Sequence, residues 1–272
     1  MVEAHWLETV VEIASAAGRE IMMVYKTAYE VVEKLDGSPL TMADQTAHDL
    51  ISCRLAELTP NIPQVSEESL ELNTKKRLEW SQLWLIDPLD GTKEFIRQNG
   101  EFTVNIALIE DGRPVLGVVH SPVYSVSHFA VLGQGAWRQI EGCAAERIMT
   151  QPYDGGAARM ATSRSHSSRQ VERFRKTLEK RSGQQVEAVV MGSSKKICLV
   201  AEGAVDVYPR LGSTSEWDTG AAHCILNEAG GCILDCQGRE LHYNKQDMRN
   251  PWFIAIGDRD YDWINICSHS VD

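Results

Sequence analysis

Two aspartates three positions apart, Asp87 and Asp90, end an apolar run, Trp84-Leu85-Ile86, and are followed by Gly91 and Thr92. Pro88 fixes φ between them, and Gly91 permits close backbone approach. A turn of that build can aim both carboxylates, with the Leu89 carbonyl between them, at one point. Two carboxylates and a carbonyl are hard oxygen ligands, which suit Mg²⁺ or Mn²⁺ better than zinc. The backbone N–H groups of Gly91 and Thr92, with the threonine hydroxyl, could then meet an anion. Asp-Pro-Leu-Asp-Gly is also sound turn chemistry with no function, so the segment alone leaves both readings open.

Further carboxylates recur at the ends of apolar pieces. Glu67 and Glu68 follow the apolar residues 62–65, Asp44 opens a helical stretch after Thr41, and Asp218 stands in Trp217-Asp218-Thr219-Gly220 at the start of another. Taken singly, Asp44 and Asp218 read as helix caps and Glu67-Glu68 as a solvated loop. Taken together they are acids at element edges, where a two-metal site draws its ligands.

The elements that must position these groups follow from periodicity. Trp6, Val10, Ile13, Ala17, Ile21 and Val24 recur at three and four and predict an amphipathic helix. A second helix is expected from about 44 to 58, with Ala47, Leu50, Ile51, Leu55 and Leu58 on one side, ending before Pro60. Lys34-Leu35-Asp36-Gly37-Ser38-Pro39 between them is a turn cluster. A buried strand over 83–86, alternation at Val104, Ile106 and Leu108, a turn at Glu110-Asp111-Gly112, and strands over 115–120 and 129–132 predict an antiparallel meander. Beyond it, strands over 160–162, 186–191, 204–208 and 232–235 alternate with helices over 167–181, 194–202 and 218–229, which indicates an α/β layer beside the meander. The expected fold class is mixed α+β and α/β. Gln151-Pro152-Tyr153-Asp154-Gly155-Gly156 is turn-rich, so a boundary near 145–158 is expected. It divides an N-terminal α+β domain, 1–150, carrying most of the acidic candidates, from a C-terminal α/β domain, 151–272, carrying Asp218.

The bulk numbers set limits. A chain of 272 residues with 43% hydrophobic and 24% charged residues fits a soluble globular protein. No apolar run approaches membrane-spanning length, and the early Glu3, His5, Glu8 and Glu12 are unlike a secretory signal. A net charge of −11 argues against a nucleic acid polymer as partner. It does not argue against a small phosphorylated substrate, provided divalent cations bridge the two sets of negative charge. The seven cysteines are an odd number with no paired spacing, and are expected to be buried thiols of a reducing compartment rather than disulfides or zinc ligands.

With Glu67-Glu68 upstream and Trp217-Asp218 before a small-residue helix downstream, the segment from Trp84 to Thr92 resembles the inositol monophosphatase superfamily. The likeness runs from the N-terminal helix to at least Gly231. It implies a layered αβαβα sandwich of the sugar-phosphatase type. It also implies a lithium-sensitive phosphomonoesterase using two or three Mg²⁺ ions, for which Mn²⁺ can substitute. Finer matches are similar to its 3′(2′),5′-bisphosphate nucleotidase (CysQ-like) branch. They are Asp36-Gly37-Ser38-Pro39-Leu40-Thr41-Met42-Ala43-Asp44, Ser163-Arg164-Ser165-His166, Gly192-Ser193-Ser194-Lys195-Lys196, and Val200-Ala201-Glu202-Gly203 leading to Tyr208-Pro209-Arg210.

The resemblance implies roles residue by residue. Glu67, Asp87, the Leu89 carbonyl, Asp90 and Asp218 would hold metal. Asp44 and Thr92 would orient or deprotonate the attacking water, and the Gly91 and Thr92 N–H groups would cradle the scissile phosphate. Ser163, His166, Ser193 and Lys196 would contact the nucleotide and its second phosphate, with Asp218 also on the substrate and Arg164 a further candidate. Glu68 would support a ligand from behind, and the other seven histidines are left to surface, packing or supporting roles. The order Thr219-Gly220-Ala221-Ala222 departs from many relatives and bears on helix packing beside Asp218, not on the ligands. The implied reaction converts adenosine 3′,5′-bisphosphate to the 5′-phosphate, or its sulfated analogue to the 5′-phosphosulfate, with release of free phosphate by in-line attack of metal-activated water, serving sulfur metabolism. Hydrolysis of inositol 1-phosphate or fructose 1,6-bisphosphate is the alternative. A nucleotide or metal sensor on the same fold would have no need of Asp44 and Thr92. A cytoplasmic location is expected, with a homodimer and contact with the inner membrane left open.

Overall fold

The structure, a computed structural model, describes residues 4–27, 31–33, 39–69, 74–164 and 168–271. Among these, the chain opens with α1 (Ala4–Tyr25), an antiparallel ribbon of β1 (Val31–Glu33) and β2 (Pro39–Thr41), and α2 (Met42–Leu58). A seven-stranded sheet follows in sequence order: β3 (Gln64–Ser66), β4 (Gln82–Asp90), β5 (Thr103–Glu110), β6 (Arg113–Ser121), β7 (Val126–Val131), β8 (Ala136–Ile140) and β9 (Glu146–Ile148). Short helices α3 (Thr74–Arg77) and α4 (Thr92–Ile96) flank β4. β3 pairs parallel to β4 and the rest of the sheet is an antiparallel meander, longer by β8 and β9 than the alternation predicted.

The second half builds a mixed five-stranded sheet, ordered β11-β10-β12-β14-β13. Its strands are β10 (Arg159–Ser163), β11 (Glu187–Met191), β12 (Val207–Arg210), β13 (Cys232–Asp235) and β14 (Phe253–Ile256). Its helices are α5 (Arg169–Ser182), α6 (Lys195–Ala201), α7 (Glu216–Glu228) and α8 (Trp263–Val271). The strand expected over 204–208 lies two to three residues later. β14 and α8 carry no signal that the periodicity picked up.

Three apolar clusters separate five layers. Trp84, Ile86, Val104, Ile106 and Leu108 face α1 and α2 through Val10, Ile13, Ala47 and Ile51. The alternate residues of the same strands, Leu83, Leu85, Ala107 and Ile109, face α7, α6 and the second sheet through Ile225, Val200 and Phe253. The far side of the second sheet packs on α5 and α8 through Phe174, Leu178, Ile254 and Trp263. The order is therefore helices, sheet, helices, sheet, helices, as the resemblance implies. α7 lies pressed on the meander: a Cβ at Gly117 would stand 2.2 Å from the Ala221 carbonyl oxygen. Gly220 also faces Leu85 and Ala107, so the unusual Thr-Gly-Ala-Ala order still presents small groups to the sheet.

The cysteines depart from expectation. Cys198, Cys224 and Cys232 are buried thiols, but Cys53 and Cys143 are exposed. Cys236 and Cys267 form a disulfide between the end of β13 and α8, with their Cα atoms 5.4 Å apart. They lie 31 positions apart in the chain, a separation that no spacing rule reads as a pair. No helix among the described residues is long and apolar enough to cross a membrane.

Candidate active site

The site begins with a register fault. In a regular strand, residues three apart face opposite sides. Here Asp87 pairs with Asn105 and Asp90 with Thr103, so Pro88 and Leu89 together stand opposite Val104 alone. This is a β-bulge, at a residue with no N–H to lose from the ladder. The extra residue restores the phase: Asp87 and Asp90 both turn toward the inner face, the one that carries Leu83 and Leu85 and packs on α7. β4 thus runs through the motif instead of stopping at Ile86.

Gly91 follows with φ +97°, a left-handed value, and a Cβ there would meet the Glu101 carbonyl oxygen at 3.2 Å. The chain turns at once into α4, which brings Thr92 back over the bulge. The Thr92 hydroxyl lies 3.3 Å from Asp44 Oδ1 and 3.4 Å from the Leu89 carbonyl. Leu89 N–H donates to Asp87 Oδ1 at 3.1 Å, fixing that carboxylate. The parallel pairing of β3 with β4 sets Glu67 beside this end of β4, its N–H on the Ile86 carbonyl at 3.1 Å. Glu68 follows on the same turn with its N–H on the Ser66 hydroxyl.

Asp44 and Asp218 are not the caps that their positions suggest. Thr41 and Ser215 are the N-caps, and the two aspartates sit three residues on, each completing a capping box. Asp44 Oδ2 accepts from the Thr41 N–H at 2.8 Å and its hydroxyl at 2.7 Å, while Oδ1 faces Thr92. Asp218 Oδ2 accepts from Ser215 N–H at 2.9 Å. Capping fixes both side chains through Oδ2, and the other Asp44 oxygen meets Thr92.

Asp87, Asp90, Asp218, Glu67, Leu89, Gly91 and Thr92 line one cleft together with Ser163, Arg164, Ser193 and Lys196. The convergence shows in the electrostatics. Burial first, then the charges of Glu67, Asp90, Asp218 and Asp44, push the Asp87 carboxyl well above the usual range. Burial raises Asp90 too, against the pull of Lys196 and the Ser194 N–H. Asp218 is pushed up to about 8, by burial and then by Asp90. Among the described residues no three His, Cys, Asp or Glu side chains already stand at the spacing of a preformed metal cage. The donor set is nonetheless that of a hard divalent cation: carboxylates and a carbonyl, with Asp87 and Leu89 buried, Glu67, Asp90 and Asp218 half-buried, and the acids mutually repelling.

Across the cleft, the end of β10 brings Ser163, and the loops after β10 and β11 bring Arg164 and Ser193. Ser163 Oγ lies 3.2 Å from Arg210 Nη1 and 3.3 Å from the Tyr208 hydroxyl. Lys196 is nearly buried and donates to the Ser193 carbonyl at 2.5 Å, with Tyr208 beneath its ammonium at 5.2 Å. His166 and residues 36–38 of the Asp36-Gly37-Ser38 motif lie outside the described residues. Three contributors lacked an assigned role in the sequence. Asn105 donates to Asp90 Oδ2 at 3.4 Å, Ser194 N–H to the same oxygen at 2.5 Å, and Arg210 sits between Ser163 and Asp218. Asn105 could have been found: alternation with Val104, Ile106 and Leu108 puts it and Thr103 on the face opposite the apolar stripe. Tyr208 and Arg210 likewise share a face across Pro209.

The profile of the inositol monophosphatase family matches residues 3–252. A 3′(2′),5′-bisphosphate nucleotidase CysQ of Salmonella typhimurium is 45% identical over 250 residues, 91% of this chain and 98% of the relative. The Escherichia coli K12 protein of the same name is 42% identical over the same shares. The crystal structure of CysQ from Bacteroides thetaiotaomicron, described as a bacterial member of the inositol monophosphatase family, superposes with a TM-score of 0.82 at 40% identity, covering 93% of this chain and 97% of that one. An inositol monophosphatase from Thermotoga maritima superposes at 0.79 with 24% identity, covering 98% of each chain, and shares the fold.

Proposed function

We propose a function from one premise: the chain belongs to the inositol monophosphatase family. It is a 3′(2′),5′-bisphosphate nucleotidase, a phosphomonoesterase that takes adenosine 3′,5′-bisphosphate, or its sulfated analogue, and releases the 3′-phosphate. Relatives with that name are 37–45% identical over most of the chain. The observation that carries the reading is the crowding of Asp87 by Glu67, Asp90, Asp218 and Asp44 in a cleft whose opposite wall bears Ser163, Arg164, Ser193 and Lys196. Acids on one side suit a metal-bridged phosphate; donors and cations on the other suit a second one.

Glu67, Asp87, the Leu89 carbonyl, Asp90 and Asp218 would hold two or three Mg²⁺ ions, for which Mn²⁺ can stand. Divalent cations bound there would neutralise the acids and the phosphate together and lower the pKa of water. The chain's own residues do the rest. Thr92 Oγ1 orients the attacking water, and Asp44 Oδ1 receives its proton through that hydroxyl. The capping bonds on Asp44 Oδ2 keep Oδ1 aimed at Thr92. Gly91 and Thr92 N–H groups cradle the scissile phosphate, and the in-line geometry follows from that anchor. Ser163, Ser193 and Lys196, with His166 in the same reading, take the nucleoside and the second phosphate, and Glu68 braces its neighbour Glu67. Sulfur metabolism and a cytoplasmic location go with that substrate.

Hydrolysis of inositol 1-phosphate or fructose 1,6-bisphosphate is the competing reading. Side-by-side turnover of the three substrates with Mg²⁺ decides between them. The expected order puts the bisphosphate nucleotide first in kcat/KM, with inhibition by lithium; a strong preference for inositol 1-phosphate would move the chain to another branch.

A further inference from the structure

Glu101 is a buried acid on the loop between α4 and β5, and nothing in the sequence singles it out. Its Oε1 accepts from Arg164 Nη2 at 2.6 Å, and its Oε2 accepts from Arg164 Nε at 3.1 Å and from the Gly192 N–H at 2.8 Å. One carboxylate of the first sheet's border therefore holds two loops of the second sheet. The fit around it is close. A Cβ at Gly192 would stand 2.6 Å from the Glu101 carbonyl oxygen and 2.9 Å from its Cβ. Two residues on, Ser194 N–H reaches Asp90, and its hydroxyl reaches Asn105 at 2.8 Å and Thr103 at 2.9 Å. The 192–194 turn is thus fastened to the first sheet at both ends.

The consequence falls on Arg164. Its guanidinium is fixed in fork geometry by Nε and Nη2, Nη1 takes no part in that pair, and the residue lines the cleft opposite the acids. A flexible arginine on a loop would lose rotamer freedom on meeting an anion; one already clamped loses less. We propose that Glu101 is a positioning residue that sets the enzyme's selectivity for a second phosphate. It does so by holding Arg164 and the 192–194 turn at a fixed offset from the acidic centre. The inference rests on the nucleotidase reading and adds to it the device that separates bisphosphates from monophosphates.

The test compares kcat/KM for adenosine 3′,5′-bisphosphate with that for adenosine 3′-phosphate, which lacks the second group, in Mg²⁺. Arg164→Ala should lower that ratio by about tenfold or more, the worth of one charge-assisted hydrogen bond. Glu101→Gln should lower it too with Arg164 still present, through KM of the bisphosphate rather than through kcat. The double variant should be no less selective than Arg164→Ala alone, since both changes remove one device. Arg164→Lys keeps the charge without the fork and should also lose selectivity. A ratio left intact in Arg164→Ala or Arg164→Lys, or equal losses of kcat on both substrates in Glu101→Gln, would overturn the inference and leave the nucleotidase reading standing. Wild-type protein with no preference for the bisphosphate would instead remove that reading itself.

Discussion

Buried carboxylates occupy two kinds of place in this molecule. Glu216 is fully buried at the start of α7, and takes the N–H groups of Asn244 and Lys245 at 2.6 and 3.0 Å and the Lys245 ammonium at 2.6 Å. Asp206 takes the Arg159 N–H at 2.7 Å and its guanidinium, and Glu101 takes Arg164 and Gly192. In these places the chain supplies the countercharge, and the acid fastens one segment to another. Two residues beyond Glu216, Asp218 faces Asp90 instead, and across from it Asp87 faces four other acids. Like charges brought together out of water are costly. The first set completes the fold; the second set, in the function proposed above, would complete a site for divalent cations.

Substitutions should separate the two sets. The largest effect is expected at Asp90. Asp90→Asn removes a proposed ligand and should lower turnover on the order of a thousandfold, the scale of losing one preorganised charge-stabilising group, while circular dichroism and gel filtration show a folded protein. Near-normal turnover would break the comparison, since Asp90 would then be no different from a structural acid. Glu216→Ala should do the opposite. It leaves Lys245 facing an empty place, and should cost about 3 kcal/mol of stability or more, read as a lower urea midpoint that Mg²⁺ does not restore.

A subtler effect is the dependence on pH. Burial and Asp90 hold the Asp218 carboxyl at about 8, so folding favours its protonated form when no metal is bound. That contribution is complete below the ordinary carboxylate value of 3.8 and is lost as pH rises toward 8. Asp218→Asn cannot lose it. In EDTA the stability of the variant relative to wild type should therefore grow across that window, and Mg²⁺ should shrink the gap. His223 marks the other sign. Buried against Tyr243, its imidazole is lowered to about 3, so its contribution is complete above the ordinary 6.5 and fades as pH falls. Urea midpoints that follow the histidine alone, with no Asp218 arm, would show the acids to be apart in solution.

Much of the fold is legible in the sequence. α1 shows in its three-and-four spacing, the meander in its alternation, and the proposed ligands in acids at element ends, two of them beside Pro88 and Gly91. What could not be read was distance. The aspartates could be seen, but not the bulge that puts them in phase, because a bulge is defined by the partner strand. The capping boxes were half visible: Thr41 three residues before Asp44, and Ser215 three before Asp218, fit the box geometry, yet the aspartates drew the cap assignment. Glu101 in Asn99-Gly100-Glu101 looks like any solvated turn, and its partners are 63 and 91 positions away. β14 is four apolar residues that no turn ties to β13, so nothing local distinguishes it from a buried helical piece.

The most direct test of the account is crystallographic. Crystals grown with Mn²⁺ and phosphate, measured at the manganese edge, should show anomalous density between Glu67, Asp87, Asp90 and Asp218, with phosphate against Gly91 and Thr92. Density confined to other places, with those four carboxylates each on protein donors, would contradict it.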